Sequence, residues 1–369
     1  MALTIATVLS SSLLLFMMVM MMLGSLSEAQ MVPATFVFGD SVVDAGNNNY
    51  LPLALAKSNY PHYGIDFPTK KPTGRFSNGK LPSDLLAEKV GLPGPPPYLS
   101  IKNKKDKNGS ISIPLTGLNF ASAGAGVFNE TGNQLGSHIS MTEQVEDFST
   151  VYSKLSAVMG SGGASKSVGK SLFLIVIGSN DMLSYYGSSD LRKKFTPEQR
   201  FNQMTSALKS QLEMLYGYGA RRFVVAGLLA IGCAPVQRLN TKNYECDPEL
   251  NSFCNAHNQI LRSTLQQFKS EHTDLSYTYF DTYTFFLDLL DNAANYGLTE
   301  TKAGCCGAGK LEAQFFCLPL SAYCKDRSTH VFFDRLHPTE ATYRLVVDAI
   351  VDGPKKYVEP MNVRQLVST

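Results

Sequence analysis

Five short, largely apolar runs punctuate the chain, at residues 35–38, 118–121, 172–177, 223–226 and 276–280. Each has the length and composition of a buried strand. The segments between them are long enough for helices. Residues 197–216, PEQRFNQMTSALKSQLEMLY, start at Thr196 and Pro197, a cap and a first-turn residue. Leu208, Leu212 and Leu215 then recur at helical spacing, and Gly217 and Gly219 end the run. Residues 248–269 and 339–351 have the same character. Strands alternating with helices, the strands apolar without interruption, predict a parallel sheet covered on both faces. No internal repeat or long low-complexity linker divides the chain, so a single domain is expected over residues 30–369.

The polar and glycine motifs collect directly after the predicted strands. Gly39-Asp40-Ser41 follows the first, Ser122-Ala-Gly124-Ala-Gly126 the second, and Gly178-Ser-Asn180-Asp181 the third. Strand carboxyl ends are where open α/β sheets bind ligands. Taken alone, Gly39-Asp40-Ser41 is equally a turn or the seat of a nucleophilic serine. A nucleophile needs a base, and the base an orienting partner. Of the six histidines, His337 lies in FFDRLHPTE, three residues after Asp334, and Pro338 opens a predicted helix. The other five lack a supporting motif. Backbone N–H groups of Ser41 and Gly124 and the amide of Asn180 could serve as oxyanion donors, although Asn180 by itself also reads as a turn residue.

Competing chemistries fit less well. No serine stands in a GxSxG elbow, and SAGAGVFNETG lacks the GxGxxG spacing of a dinucleotide site. Asp40, Asp44 and Asp181 could hold a cation, but Asp40 and Asp44 are four apart, not the two that an aspartyl phosphotransferase uses. Asp44 is read as a tie for the loop after Ser41, with no proton role. No metal or other cofactor is expected.

Composition changes the picture mainly through compartment. Forty-four per cent of the residues are hydrophobic and the net charge is only +2, which supports a real core and gives no signal for nucleic acid. The short basic run IKNKKDKNGS reads as a solvated loop. Residues 13–23 are uniformly apolar and are followed by small residues up to Ala29. That is a signal-peptide pattern over residues 1–29, without a basic residue ahead of it, and no later stretch is apolar enough to span a bilayer. Seven cysteines suit an oxidising compartment. Zinc is disfavoured because Cys305 and Cys306 are adjacent and no CxxC pair occurs. Asn108 and Asn129 head glycosylation sequons. A secreted, extracellular location, in apoplast or cell wall, is expected.

Together these residues resemble a family. FGDSVVDAGNNN, GLNFASAGAG, IGSND and DRLHPTE, in this order, are similar to the signature segments of the GDSL esterase/lipases of the SGNH hydrolase superfamily. PTGRFSNGK, GLLAIGCAPV and AGCCGAG look like its plant secreted branch, and the likeness covers roughly residues 34 to 352. It implies a three-layer α/β/α, flavodoxin-like fold with a five-stranded parallel sheet. It implies hydrolysis of carboxylic esters without a metal. Ser41 matches the nucleophile, Asp334 and His337 the acid and base, and Gly124 and Asn180, with Ser41, the oxyanion donors. Ala123 stands where the family often has glycine. The resemblance places Cys233, Cys246, Cys305, Cys306, Cys317 and Cys324 at recurring positions and leaves Cys254 additional. A Cys233–Cys246 bridge is expected, with two further bridges within 305–324 in an order the sequence does not assign. Neighbouring Cys305 and Cys306 do not suit bonding to each other.

The expected substrate is a lipid or other small-molecule ester. An acyltransferase working through the same acyl-enzyme and a non-catalytic wall-binding protein are the alternatives. Tyr50, Leu51, Leu53, Tyr60, Tyr63 and Phe67 either wall an acyl groove or pack on the core. Acyl specificity and oligomeric state are not set by the sequence.

Overall fold

The computed structural model describes residues 30–104 and 112–369. The predicted signal segment and Asn108 lie outside the described residues. Five strands form the parallel part of the central sheet: β1 (Thr35–Gly39), β2 (Gly117–Asn119), β3 (Leu172–Val176), β4 (Arg222–Ala226) and β5 (Ser276–Phe280). A sixth, β6 (Val358–Pro360), pairs antiparallel with β5, so the sheet is six-stranded and mixed, where five parallel strands were expected. Three residues that include Glu359 and Pro360 carry no apolar pattern to announce a strand. The short edge position tolerates the proline.

The order is β6-β5-β4-β3-β1-β2. The chain reverses direction across β1, which lies between β2 and β3. That is the switch point where a crevice opens beyond the strand ends. Alternate strand residues feed two cores. Phe36, Phe38, Phe173, Ile175, Phe223 and Val225 pack beneath helices α2 (Met141–Lys170), α4 (Pro197–Gly217) and α5 (Pro248–Glu271). Val37, Leu172, Leu174 and Val224 pack on the opposite face, against α1 (Pro82–Lys89), α6 (Thr282–Asp291) and α7 (Glu340–Asp352). A further helix, α3 (Ser179–Gly187), starts two residues after β3. The layers are thus α/β/α.

Helix starts follow the expected chemistry. The Thr196 side chain accepts from the Gln199 N–H and Pro197 occupies the first turn of α4. Asp247 and Thr339 cap α5 and α7 in the same way. The second strand is Gly117–Asn119 where residues 118–121 were expected, and beyond it the Phe120 and Ser122 N–H groups still bond the Val37 and Gly39 carbonyls of β1.

The structure joins Cys233 to Cys246, Cys305 to Cys324 and Cys306 to Cys317, and leaves Cys254 free and buried. This supplies the order within 305–324 that the sequence left open.

Candidate active site

The last residue of β1, Gly39, is glycine for a steric reason. A Cβ there would lie 2.2 Å from the Val176 carbonyl oxygen of β3. The Gly39 peptide is also clamped on both sides by Gln144, whose Oε1 accepts from its N–H at 2.8 Å and whose Nε2 donates to its carbonyl at 2.9 Å. Asp40 N–H then bonds Val176 O at 3.1 Å. The strand is fixed up to the residue before Ser41, and Ser41 itself is half-buried at the sheet edge.

The Asn-rich stretch beyond Ser41 is an internal tie. Asn47 donates to the carbonyls of Asn119 and Ala121 and accepts from Leu99 N–H. Asn48 donates to Ala123 O and accepts from the Ser122 hydroxyl. Asp44 accepts from the N–H groups of Gly46, Asn47 and Ala123, the tie expected of it. These bonds fix the glycine loop relative to Ser41. Gly124 has φ +91°, a conformation that favours glycine. Ala123 beside it is buried, and its N–H bonds Asp44 Oδ2.

At the third strand end, Asn180 donates to Ala125 O at 2.9 Å, and its second amide hydrogen has no acceptor among the described residues. Asp181 accepts from Val127 N–H and the Thr131 hydroxyl. Among the described residues, the N–H groups of Ser41 and Gly124 have no protein acceptor.

The fourth segment closes the site. His337 Nε2 lies 2.8 Å from Ser41 Oγ, and its Nδ1 lies 2.8 Å from Asp334 Oδ2. Asp334 Oδ1 accepts the backbone N–H of Leu336 and His337. Burial pushes the Asp334 carboxyl up, but His337 and these N–H donors outweigh it, leaving the group below its ordinary value. Burial pulls the His337 imidazole down, and the charge and hydrogen bond of Asp334 overcome that, so it sits above its ordinary value. Phe76 packs on the imidazole at 5.0 Å between ring centroids. The PTGRFSNGK segment steadies the base further: Ser77 Oγ donates to Pro338 O, and Asn78 Oδ1 accepts from Glu340 N–H. Arg75 in the same segment forms a buried ion pair with Asp84 at 2.7 Å.

Tyr63 is the residue whose place the sequence reading missed. It is buried, and its hydroxyl donates to Asp334 Oδ2 at 2.8 Å. The aromatic segment is therefore divided. Tyr63 packs with Phe76 and Phe333, Phe67 lies under Arg75, and Tyr50 and Leu53 face solvent.

The model of the GDSL-like lipase/acylhydrolase family matches residues 35–350. The chain belongs to that family. A GDSL esterase/lipase of Arabidopsis thaliana is 46% identical over 341 residues, covering 92% of this chain and 90% of the relative. A second from the same plant is 41% identical over 324 residues, covering 85% of each. An extracellular lipase from Streptomyces rimosus, a solved structure, aligns over 86% of this chain and 99% of its own at 14% identity, with a TM-score of 0.35. This GDSL family member is a carboxylic ester hydrolase with the α/β fold of its family. Val42, Ser179 and Pro338, chain neighbours of Ser41, Asn180 and His337, also line an apolar cavity of about 50 Å³.

Among the described residues, Asn129 is exposed in a turn. His257, one of the histidines without a supporting motif, is buried within α5, and burial pulls it down to about 4.

Proposed function

We propose that the protein is a secreted esterase or lipase in which Ser41, His337 and Asp334 act as a catalytic triad. The observation that carries the reading is the unbroken chain of short contacts from Ser41 Oγ through both ring nitrogens of His337 to Asp334. His337 takes the Ser41 proton as Oγ attacks the ester carbonyl. The carbonyl oxygen becomes an oxyanion, held by the Ser41 and Gly124 N–H groups and the free amide hydrogen of Asn180. His337 then protonates the departing alcohol. A water deprotonated by His337 attacks the acyl-enzyme, and collapse of the second tetrahedral intermediate returns the proton to Ser41 and releases the acid. Asp334 stays ionised throughout and stabilises the imidazolium.

No step asks for a metal, and a lipid or other small-molecule ester is the expected substrate. Three disulfides and an exposed sequon at Asn129 support secretion. The test is hydrolysis of a panel of esters of graded acyl length by wild type and Ser41→Ala. The variant should fold, by circular dichroism, and lose turnover by roughly 10⁶-fold. Wild-type turnover in the folded variant would refute the assignment.

A further inference from the structure

The Ser41 and Gly124 N–H groups belong to different segments, and one buried side chain joins those segments. Ser41 stands two residues after Gly39, the end of β1. Gly124 stands two residues after Ser122, in the loop beyond β2. The joining residue, Gln144, comes from a third element. Ser140 and Glu143 form a capping box that starts α2 at Met141. Gln144 follows at once, fully buried, and meets Gly39 across 105 positions.

A primary amide carries one acceptor oxygen and two donor hydrogens. Gln144 engages both kinds of group. Its Oε1 accepts the Gly39 N–H at 2.8 Å, and its Nε2 donates to Gly39 O and to Ile139 O, each at 2.9 Å. The bonds then close on themselves. Ile139 N–H donates to Ser122 Oγ at 2.9 Å, and Ser122 N–H donates to Gly39 O at 3.0 Å. The Ser122 hydroxyl donates in turn to Asn48 Oδ1 at 2.6 Å.

Gly39, Gln144, Ile139 and Ser122 thus form a ring of hydrogen bonds, and all four are buried. A buried, satisfied polar network of this kind rigidifies what it joins. Ser41 leads off from one side of the ring and Gly124 from the other.

We propose that Gln144 is a positioning residue that sets the separation of the Ser41 and Gly124 N–H groups, and with it the fit of the oxyanion hole to the transition state. The proposal rests on the hydrolase reading above and extends it to a residue outside the four motif segments.

The test is steady-state hydrolysis of a water-soluble ester by wild type, Gln144→Leu, Gln144→Glu and Ser122→Ala, each checked for folding by circular dichroism at every pH used. Gln144→Leu deletes all three amide bonds. It should lower kcat about 10–100-fold, the cost of displacing a reacting group by up to ~1 Å, with KM nearly unchanged. Ser122→Ala breaks only the Ile139 link and should lower kcat by less. Gln144→Glu gives a readout that packing alone would not move. Ionised, the new carboxylate offers no hydrogen to Gly39 O or Ile139 O; protonated, it regains one donor. Its kcat, as a ratio to wild type at the same pH, should therefore rise as the pH falls from about 8 to about 5, since burial raises a carboxyl group. Asp40, Glu143 and His337 are common to both proteins.

Wild-type kcat in folded Gln144→Leu, a loss confined to KM, or a Gln144→Glu ratio that stays flat with pH overturns the proposal. Should Gln144→Leu not fold, the Gln144→Glu ratio decides in its place, and wild-type kcat in Ser122→Ala counts against the ring. A lower melting temperature with wild-type kcat in every folded variant is a purely structural role and also overturns it. In each of these cases wild type still hydrolyses the ester and the hydrolase reading stands. A wild-type protein that hydrolyses no ester overturns that reading, and this proposal with it.

Discussion

The Tyr63 hydroxyl donates a 2.8 Å hydrogen bond to Oδ2 of Asp334, the oxygen that also faces His337 Nδ1. The carboxylate is thus held on one side by two backbone N–H groups and on the other by a phenol and an imidazole. A hydrogen bond to a charged group contributes about 1.5–3 kcal/mol net. Tyr63→Phe keeps the packing against Phe76 and Phe333 and deletes only that bond. We expect kcat to fall about tenfold with KM nearly unchanged. Charge freed on Asp334 will hold the imidazolium more firmly, so the acidic limb of kcat/KM should move to higher pH. A purely structural tyrosine would lower stability and leave that limb in place.

Asn180 spends one amide hydrogen on Ala125 O, and its other amide hydrogen has no protein acceptor among the described residues. Asn180→Ala should lower kcat by about 10²–10³ while KM changes little. Steady-state kinetics on a soluble ester decides it. A change confined to KM would remove Asn180 from the oxyanion hole.

Asp40 is buried, and its Oδ2 has no hydrogen-bond partner among the described residues. Burial pushes the carboxyl up to about 7, against the pull of the Val42 N–H and of His337, and Asp181 and Asp44 add to the rise. A folded value above the unfolded one favours folding when the group is protonated. That contribution is complete below about pH 4 and is lost as the pH rises through about 7. Asp44 and Asp181, each raised to about 6 chiefly by burial, act in the same direction. The melting temperature should therefore fall between about pH 4 and about pH 7, and Asp40→Asn should flatten the slope. A slope that the substitution leaves intact would assign it to other groups.

Cys254 is fully buried in α5, and burial pushes its thiol up to about 12. Native protein should resist iodoacetamide at neutral pH, and denatured, unreduced protein should take up one alkyl group per chain, on Cys254. Modification of the folded protein at the rate of a free thiol, or none after denaturation, would contradict this environment.

Much of this molecule is legible along the chain because its signals are local. Buried strands of a parallel sheet are continuous apolar runs, so residues 35–38 and 172–177 announce themselves, and Pro197 and Pro248 mark helix starts. Site segments sit at strand ends, which makes Gly39-Asp40-Ser41 and Gly178-Ser-Asn180 conspicuous. What escapes the sequence depends on distance. Tyr63 meets Asp334 across 271 positions, and nothing near either residue signals the pairing. Asn47 and Asn48 read as loop residues, yet they are buried, since their amides serve carbonyls more than seventy positions away. Nothing in the FFCLPLSAY stretch signals that Phe315, Phe316, Leu318 and Leu320 are exposed.

The account stands most directly on Ser41 as the nucleophile. Native protein is incubated with an activated alkyl phosphonate ester, digested, and mapped by mass spectrometry. One phosphonyl group per chain, carried by Ser41, accompanied by loss of ester hydrolysis and absent from His337→Ala protein, is the predicted result. A protein that keeps hydrolysing esters with Ser41 unlabelled, or that carries the group on another residue, would contradict it.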